Sequence, residues 1–421
     1  MPDRLARGGT LVLGGGFAGS WVARLLGKRG VETTIVSPEN FMLFTPLLPE
    51  AASGTLEPRH VVVPLRMMCP RSELLLGRVT GLEEAQRAVT LETENGSFTI
   101  GYERLVVALG AVTRTLPIRG LAEHGHGFKD LADAIALRNH VLRQLELADG
   151  GLDAAAARRH LTFVFVGAGY AGVEALAELS DLVRDALRYY PRLRGITPRW
   201  ILVDAAPAIL PEIPTKLGEY AARELAGRGV EVRVGTTLEA LDAEGAELSG
   251  GERVATNTLV WTAGVRANPM LQELGLPLDD RGRVQVDDSL RVEGRDDIWA
   301  LGDCTRVPNA ATPGTCDPPT SQHALRQART LARNLAGKPR TYRYRMLGPV
   351  ATLGRYRGIA DIFGLRVRGF PGWFVTRTYH LSQLPLFSRK LRVVADWTVA
   401  LLFSRDIAEL TGLGHPHRLG E

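Results

Sequence analysis

The amino-acid sequence predicts an α/β fold with two strand–turn–helix units and a distinct C-terminal segment. Two glycine-rich stretches, at 10–26 and 160–179, each lead from an apolar strand into a helical pattern. From Thr341 to the end, twelve Lys/Arg stand against five Asp/Glu, a net charge of +7 within a chain whose total is +5. The first 340 residues therefore carry −2, and the basic character belongs to the C-terminal part.

The first glycine-rich stretch, TLVLGGGFAGSWVARLL, contains Gly14-x-Gly16-x-x-Gly19 between a strand and a helix. The first glycine of such a motif allows a tight turn, the second lets the backbone approach a pyrophosphate, and the third lets helix and strand pack closely. The helix N-terminus then presents free N–H groups to phosphates. We expect a dinucleotide here, bound by the three glycines together with Phe17 and Ala18.

The strand that follows, VETTIV (31–36), ends where an acidic residue usually holds the ribose hydroxyls. Ser37 occupies that position, and Glu39 comes two residues later. We predict Ser37 as the ribose contact of the first site, while the departure from an acid leaves the identity of the ribose ligand open.

The second stretch, HLTFVFVGAGYAGVEALAEL, repeats the pattern with Gly167, Gly169 and Gly172, and Tyr170 lies within the motif. The strand RWILVD (199–204) then ends in Asp204, the expected ribose ligand. Ala205 and Ala206 follow, so no cation is present to meet a 2′-phosphate, and NAD is favoured over NADP.

Two dinucleotide sites in one chain indicate hydride transfer from a nicotinamide to a flavin. Three further strand-and-turn segments close the units: 102–114, which contains Ala108 and Gly110, 257–269, which contains Gly264, and 296–307, which contains Gly302-Asp303. We expect two Rossmann-like dinucleotide-binding domains, one discontinuous (1–120 and 290–335) and one at 121–289. A C-terminal membrane-associating segment is expected at 336–421.

Composition excludes several classes of protein. The three cysteines, Cys69, Cys304 and Cys316, form no CxxC or CxxxxC pair, so neither a disulfide scaffold nor a disulfide redox centre is expected. No apolar stretch reaches the roughly 18 residues of a membrane span. We predict no metal site and no nucleic-acid binding, and an intracellular setting is favoured.

The chain resembles the flavoprotein pyridine-nucleotide oxidoreductases with two dinucleotide-binding domains, and within them the type II NADH dehydrogenases, which are non-pumping NADH:quinone oxidoreductases. The resemblance is carried by FMLFTPLLPEAASGTLEPRHVVVPLR (41–66), GAGYAGVEALAEL (167–179), WTAGVRANP (261–269) and the basic, aromatic tail. It implies FAD at the first motif, NADH at the second, and Asp303 on the flavin side chain. Thr45 and Pro46 are implied at the flavin ring.

The resemblance also points to the acceptor site. The family carries A-Q-x-A-x-Q on a helix after the Gly-Asp motif, and TSQHALRQARTLARNLAG (320–337) matches it in part. Gln322 matches the first Gln, and Arg326 replaces the second. The resemblance implies that Gln322 contacts a quinone carbonyl and that Glu174 relays a proton or governs the charge-transfer state. We expect Arg326 to donate to the other quinone carbonyl or to the reduced flavin. Without the resemblance, these are polar residues in the first turns of two helices.

The C-terminal segment 372–410 interleaves large apolar and basic side chains. A helix predicted at 389–405 groups Val393, Val394, Trp397, Ala400 and Leu401 on one side. A helix with apolar bulk opposite cations lies flat on an anionic bilayer. The alternative is a helix docked on the protein body or at a homodimer interface.

We therefore expect a peripheral enzyme on the cytoplasmic side of the cell membrane that passes electrons from NADH through FAD to a respiratory-chain quinone. Rival hypotheses are a soluble NAD(P)H-dependent reductase of a ferredoxin-like acceptor, a sulfide:quinone oxidoreductase-like enzyme, and a flavin-bound redox sensor. A sulfide:quinone enzyme needs cysteines around the flavin, and the spacing of these three does not suit it.

Overall fold

The computed structural model describes residues 2–151, 153–346 and 348–410. Two compact units are present, and the chain crosses between them several times. The first unit contains residues 2–44, 62–112 and 265–346, and the second contains residues 45–61, 113–264 and 348–410.

Eleven α-helices occur in the described residues. They are α1 Phe17–Gly27, α2 Leu48–Ala52, α3 Leu65–Met68, α4 Leu121–His124, α5 Leu131–Asp149, α6 Ala154–His160, α7 Tyr170–Ala186, α8 Thr215–Ala226, α9 Ser321–Asn334, α10 Gly369–Gln383 and α11 Phe387–Leu402.

The first unit is built on a five-stranded parallel sheet. Its strands lie in the order Ile298–Ala300, Arg104–Val107, Thr10–Leu13, Thr33–Ser37 and Ser72–Leu76. This is the strand order of a Rossmann sheet, in which the first βα turn lies at the centre. Strand Thr10–Leu13 is buried along its whole length, as expected when helices cover both faces. Helices α1 and α9 pack against each other.

Smaller strands complete the first unit. A four-stranded sheet contains Arg4–Leu5, Gly96–Gly101, Ala88–Thr93 and Arg78–Glu83, and two ribbons pair Phe41–Leu43 with Val62–Pro64 and Val284–Gln285 with Thr305–Arg306. Strands Ala111–Thr113 and Val265–Ala267 lie at crossings of the chain between the units.

The second unit repeats the parallel arrangement. Its sheet has the order His126–Gly127, Thr258–Trp261, Thr162–Val166, Arg199–Asp204 and Val230–Val234. An antiparallel sheet of Leu238–Asp242, Gly245–Leu248 and Glu252–Ala255 shares a hydrophobic core with it. The predicted α/β fold with two dinucleotide-type units is confirmed. The apolar stretches before the two glycine motifs form buried parallel strands, as expected for stretches in which apolar residues do not alternate with polar ones.

The C-terminal part of the second unit contains an antiparallel sheet of Val350–Thr352, Gly358–Ile362 and Leu365–Arg368, followed by α10 and α11. Helix α11 begins two residues before the predicted helix and ends three residues earlier. No helix in the described ranges is long and apolar enough to cross a membrane. The last eleven residues of the predicted 336–421 segment lie outside the described residues.

The boundaries of the units differ from the predicted domains at 45–61, 113–120, 265–289 and 336–346, and the first and third of these segments show why. Residues 45–61, which the sequence places with the flavin domain, cluster with the second unit, because α2 packs against α5 and α7. Residues 265–289 cluster with the first unit instead. Both differences arise from packing between segments far apart in sequence, which the local patterns do not contain.

Candidate functional site

The glycine turn of the first unit has the geometry of a phosphate cradle. Gly14 has a φ of +111°, and a Cβ there would lie 2.2 Å from the carbonyl oxygen of Ala108. A Cβ on Gly19 would lie 2.0 Å from the Gly14 carbonyl oxygen, so helix and strand pack only because both side chains are absent. Gly16, at the N-cap of α1, has no neighbour within 4 Å of its Cβ position. That open face at a helix N-terminus fits a pyrophosphate.

Several other predicted FAD residues surround this turn. The Ala108 N–H donates to the Leu13 carbonyl at 2.8 Å, and Gly110 and Gly302 adopt φ values of +67° and +81°. A Cβ on Gly302 would lie 3.0 Å from that of Ala18, which brings the Gly-Asp turn against the start of α1. Three more predicted residues lie in the same unit. The ring of Phe17 packs on that of Phe44, with 5.4 Å between the ring centroids, Ser37 is buried, and Asp303 is half-buried.

Thr45 and Pro46 belong to the second unit, whereas the other predicted FAD residues belong to the first. They form a short 3-10 turn, Thr45–Leu47, in which Thr45 is exposed. Their contact with the flavin ring stays a prediction.

Gln327 supports the Gly-Asp turn, and the sequence reasoning did not assign it a role. Its Oε1 accepts from the Gly302 N–H at 2.8 Å, and its Nε2 donates to Asp317 Oδ2 at 2.8 Å. The Tyr342 hydroxyl donates to the same Asp317 oxygen at 2.6 Å. A signal was present in the sequence, because Gln327 falls in the apolar stripe of the helix between Ala324 and Leu331, where a glutamine needs buried partners.

The first two turns of α9 bring the predicted acceptor residues together around Tyr344. The Tyr344 hydroxyl donates to Gln322 Oε1 at 3.2 Å, and the Arg326 guanidinium lies 5.3 Å from the centre of the Tyr344 ring. Arg326 Nη1 is buried and has no hydrogen-bond partner among the described residues. His323 is buried, forms a 2.7 Å hydrogen bond with Thr320, and has its pKa lowered by burial.

The glycine turn of the second unit repeats the first. Gly167 has a φ of +110°, and its Cβ would lie 2.5 Å from the Thr262 carbonyl carbon. A Cβ on Gly172 would lie 1.9 Å from the Gly167 carbonyl oxygen, whereas Gly169 at the N-cap of α7 is open. The second unit therefore has its own phosphate cradle.

Asp204 lies at the end of the neighbouring strand and reaches this turn. Its Oδ2 accepts from the Ala168 N–H at 2.5 Å, and its Oδ1 accepts from the Ala206 N–H at 2.7 Å. Gly264, with a φ of +95°, has open space at its Cβ position. Tyr170 is half-buried at the start of α7, and burial raises the pKa of its phenol, as do Glu212 and Glu174.

Glu174 is a buried carboxyl in the first turns of α7. Its Oε1 accepts from the Thr352 N–H at 2.8 Å and from the Thr352 hydroxyl at 3.2 Å. Burial raises the pKa of Glu174 to about 8, the Thr352 hydrogen bonds oppose that shift, and the carboxyls of Glu50 and Glu178 add to it. Glu174 is therefore mostly protonated at neutral pH, which suits a proton donor.

The neighbouring carboxylates are neutralised by the C-terminal segment of the same unit. Arg377 binds Glu50 through two nitrogens, with Nη2 2.9 Å from Oε2, and Trp397 Nε1 donates to the same oxygen at 2.6 Å. The Arg377 guanidinium is stacked between the rings of Trp373 and Trp397, at 4.2 and 4.8 Å.

A second ion pair is formed by Glu178, which lies one helical turn after Glu174 on α7. Arg405 Nη2 lies 3.0 Å from Glu178 Oε2, its Nη1 lies 2.9 Å from Asp185, and its Nε donates to the Thr55 hydroxyl. Arg377 and Arg405, two of the basic residues interleaved in this segment, are therefore buried in ion pairs and do not face outward, and Trp373 is buried as well. Unpaired carboxylates in a low-dielectric interior attract these guanidinium groups.

Helix α11 has an exposed apolar stripe that differs from the predicted one. Val393 is fully buried and Trp397 and Ala400 are half-buried, whereas Val394 and Leu401 are exposed, so only part of the predicted apolar side is exposed. The exposed large apolar residues of this helix are Phe387, Leu391, Val394, Val399, Leu401 and Leu402. On the inward side, Asp396 Oδ2 forms a 2.6 Å contact with His60 Nδ1 and accepts from the Glu57 N–H.

Cys69 and Cys304 are buried and Cys316 is half-buried. All three are free, and burial raises the pKa of Cys69 to about 12 and also raises that of Cys304. Within the described residues, no group of His, Cys, Asp and Glu could hold a metal ion.

Two glycine cradles on two parallel sheets define a dinucleotide-dependent oxidoreductase. Residues 9–328 match the pyridine nucleotide-disulphide oxidoreductase family. The type II NADH:quinone oxidoreductase Ndh of Mycobacterium tuberculosis is 30% identical, with 96% of this chain and 90% of that protein covered. The internal alternative NAD(P)H-ubiquinone oxidoreductase A1 of Arabidopsis thaliana mitochondria is 30% identical, with 95% and 85% covered.

Solved structures share the fold. NDH2 of Plasmodium falciparum in complex with NADH superposes with a TM-score of 0.87 at 18% identity, covering 97% of this chain and all of that one. A ferredoxin reductase of Rhodopseudomonas palustris gives 0.67 at 21% identity, covering 84% and 82%. The chain belongs to the pyridine nucleotide-disulphide oxidoreductases and, among them, to the type II NADH:quinone oxidoreductases.

Proposed function

We propose that this chain oxidises NADH and passes the electrons through FAD to a membrane quinone. The observation that carries the proposal is the pair of glycine cradles, one in each unit, in a chain that aligns over nearly its full length with NADH:quinone oxidoreductases. When bound, FAD accepts hydride from NADH and delivers two electrons to the quinone. A respiratory role on the membrane follows from a lipid-soluble acceptor.

FAD binds at the first cradle. The open Gly16 face and the N-terminus of α1 take the pyrophosphate, Ser37 lies at the ribose position, and the Gly302-Asp303 turn closes the site. Gly302 is held by Gln327, so Asp303 is presented from a turn whose backbone is already hydrogen-bonded. The residues proposed to line this site are Gly14, Gly16, Phe17, Ala18, Gly19, Ser37, Thr45, Pro46, Ala108, Gly110, Gly302 and Asp303.

NADH binds at the second cradle. The N-terminus of α7 takes the pyrophosphate, and Asp204 changes its backbone partners for the ribose hydroxyls. Because Ala205 and Ala206 offer no cation for a 2′-phosphate, NADH is the substrate rather than NADPH. The residues proposed to line this site are Gly167, Gly169, Tyr170, Gly172, Asp204 and Gly264.

The quinone meets the first turns of α9. Gln322 donates from its amide to a quinone carbonyl, and Tyr344 fixes the orientation of that amide by donating to Oε1. Arg326, whose Nη1 has no partner in the described chain, donates to a second oxygen that gains negative charge on reduction. Glu174 supplies a proton, because its carboxyl is protonated at neutral pH.

We also propose that α11 lies on the bilayer surface, on the cytoplasmic side. Its exposed stripe ends in Phe387 (80% exposed) and Leu402 (75% exposed), and the cations Lys390 and Arg392 flank it. A helix with this arrangement buries its apolar face in the headgroup region while the cations meet anionic lipids.

The test of function is turnover of the purified holoprotein. We expect NADH oxidation with a soluble quinone analogue and none with a ferredoxin or a disulfide. Loss of NADH specificity on Asp204→Ala, with quinone turnover otherwise retained, would support the assigned nucleotide site. Turnover with a ferredoxin but not with the quinone would refute the proposal in favour of the soluble reductase.

The test of the membrane surface is a triple variant, Phe387→Ser, Leu391→Ser and Leu402→Ser, at exposed positions where folding is little affected. We expect it to lose binding to vesicles and to keep turnover with the soluble analogue. If the triple variant binds vesicles like the wild-type protein but is a monomer where the wild-type protein is a dimer, the stripe is a homodimer interface instead.

A further inference from the structure

The chain contains a long run without acidic residues, which begins in the first unit and ends in the second. From Pro318 to Ala360 the sequence contains no Asp or Glu over 43 residues, whereas Arg and Lys recur throughout. Six cations in this run are exposed, and the five that follow Arg329 are Arg333, Lys338, Arg340, Arg343 and Arg345. In the part of the chain that the structure describes, none of the five takes part in an ion pair. We call these five residues the cationic strip.

The strip is ordered by contacts between α9 and the segment that follows it. Asn334 Nδ2 donates to the Arg340 carbonyl at 3.0 Å, and the Arg340 N–H donates to Asn334 Oδ1 at 2.8 Å. Further along, Tyr344 bonds to Gln322 at the opposite end of the helix. The segment therefore runs back along α9, whose 14 residues span about 21 Å at 1.5 Å per residue.

Burial alternates along this segment, so its cations point away from the protein. Tyr342 is fully buried with its hydroxyl on Asp317, and Tyr344 packs on Arg326, whereas Arg343 and Arg345 between and after them are exposed. An exposed acid borders the strip: Asp288 Oδ2 accepts from the Thr341 hydroxyl at 3.2 Å. Among the described residues it forms no ion pair with the five cations, so their charges stay unpaired.

We propose that the cationic strip is a second membrane-docking surface, which binds anionic lipid headgroups independently of the apolar stripe of α11. The proposal rests on the proposed function, since a quinone is supplied from a bilayer. A row of about 20 Å meets several headgroups at once, and each cation near an anionic surface strengthens binding by about five-fold. The two tyrosines between these cations are not presented for stacking on nucleic-acid bases, because Tyr342 is fully buried and the half-buried Tyr344 ring is covered by Arg326.

The two surfaces differ in how they respond to salt. The five members of the strip are all cations, so its binding to lipid is electrostatic. This attraction is screened when the ionic strength rises from about 0.1 M to about 1 M, because the Debye length then falls from about 10 Å to about 3 Å. The apolar stripe of α11 is insensitive to that change, because burial of apolar surface does not depend on charge.

The experiment uses the full-length holoprotein and two variants that remove the same charge. The strip variant carries Gln at Arg333, Lys338, Arg340, Arg343 and Arg345. The control variant carries Gln at five exposed cations of the second unit: Arg158, Arg192, Arg194, Lys216 and Arg223. Binding is measured by co-sedimentation with vesicles of phosphatidylcholine alone and of phosphatidylcholine mixed with phosphatidylglycerol, at low and at high salt.

We expect the strip variant to bind phosphatidylglycerol vesicles at least about tenfold more weakly than wild type at low salt, and equally at high salt. The control variant should bind like wild type, and all three proteins should show equal turnover with a soluble quinone analogue. Equal weakening of both variants would reduce the effect to net charge and overturn the proposal. If the strip variant bound vesicles as well as the wild-type protein, the proposal would also be overturned, and an acidic protein would replace the lipid as the expected partner of the strip. Absence of quinone turnover in all three would refute the proposed function while the binding comparison still decides the strip.

Discussion

Replacing Thr352 with valine will raise the pKa of Glu174 and extend quinone reduction to higher pH. Thr352 stabilises the ionised form of Glu174 by two hydrogen bonds to Oε1, one from its N–H at 2.8 Å and one from its hydroxyl at 3.2 Å. Valine has nearly the same shape and keeps the N–H, so only the hydroxyl bond is lost. The carboxyl of Glu174 also lies near the carboxyls of Glu50 and Glu178, which further oppose its ionisation.

The size of the effect follows from the lost bond. A hydrogen bond to a charged group contributes roughly 1.5–3 kcal/mol, and one pKa unit corresponds to about 1.36 kcal/mol. Because the hydroxyl bond is the longer of the two, we take the lower end, a rise of about one unit from the pKa of about 8. The protonated form is the proton donor, so activity falls as pH rises through this pKa, and the fall should occur about one unit later in the variant.

The assay is the pH dependence of steady-state quinone reduction, with flavin reduction by NADH measured separately as a control. Thr352→Ser keeps the hydroxyl and should retain the wild-type midpoint, whereas Glu174→Gln should lower turnover by about 100-fold and abolish the alkaline limb. An unchanged midpoint in Thr352→Val, or a Glu174→Gln enzyme with the wild-type profile, would refute the reasoning.

Three further predictions concern stability and cofactor binding. Because its pKa is raised in the folded state, Glu174 favours folding below about pH 4.5 and loses that contribution up to about pH 8, so Glu174→Gln should raise the melting temperature most at alkaline pH, measured by calorimetry. Arg377→Met leaves the buried carboxylate of Glu50 unpaired and should lower the free energy of unfolding by about 3–5 kcal/mol in denaturant titration; adding Glu50→Gln should restore most of it, and a failure to do so would contradict the ion-pair account. Gly19→Ala places a Cβ 2.0 Å from a backbone oxygen and should destabilise the apoprotein. Gly16→Ala should fold normally but lose FAD, as judged by the flavin absorbance that the purified protein retains. Similar apoprotein stability in both variants would contradict the cradle geometry.

Local features of the sequence were sufficient for much of the site. The spacing of Gly14, Gly16 and Gly19 can be read directly, because strand, turn and helix form within twenty residues of one another and the clash that excludes a side chain is internal to that motif. The same holds for the second cradle and for Asp204, whose place at a strand end follows from the parallel sheet. The N-cap of α9 is Thr320, a residue type that commonly begins a helix, and its side chain accepts from the His323 N–H.

What the sequence by itself determined is therefore the α/β class, both cradles and the helix that follows the Gly-Asp turn. Only the tertiary structure decided which side of α11 is exposed, because a helical period shows which residues share a face but not which face meets the protein. It also brought Arg377 and Arg405 onto carboxylates more than two hundred residues away in sequence, and Thr352 onto Glu174. Buried charges are matched across the fold by desolvation and Coulomb attraction, which act through space and leave no periodic trace along the chain.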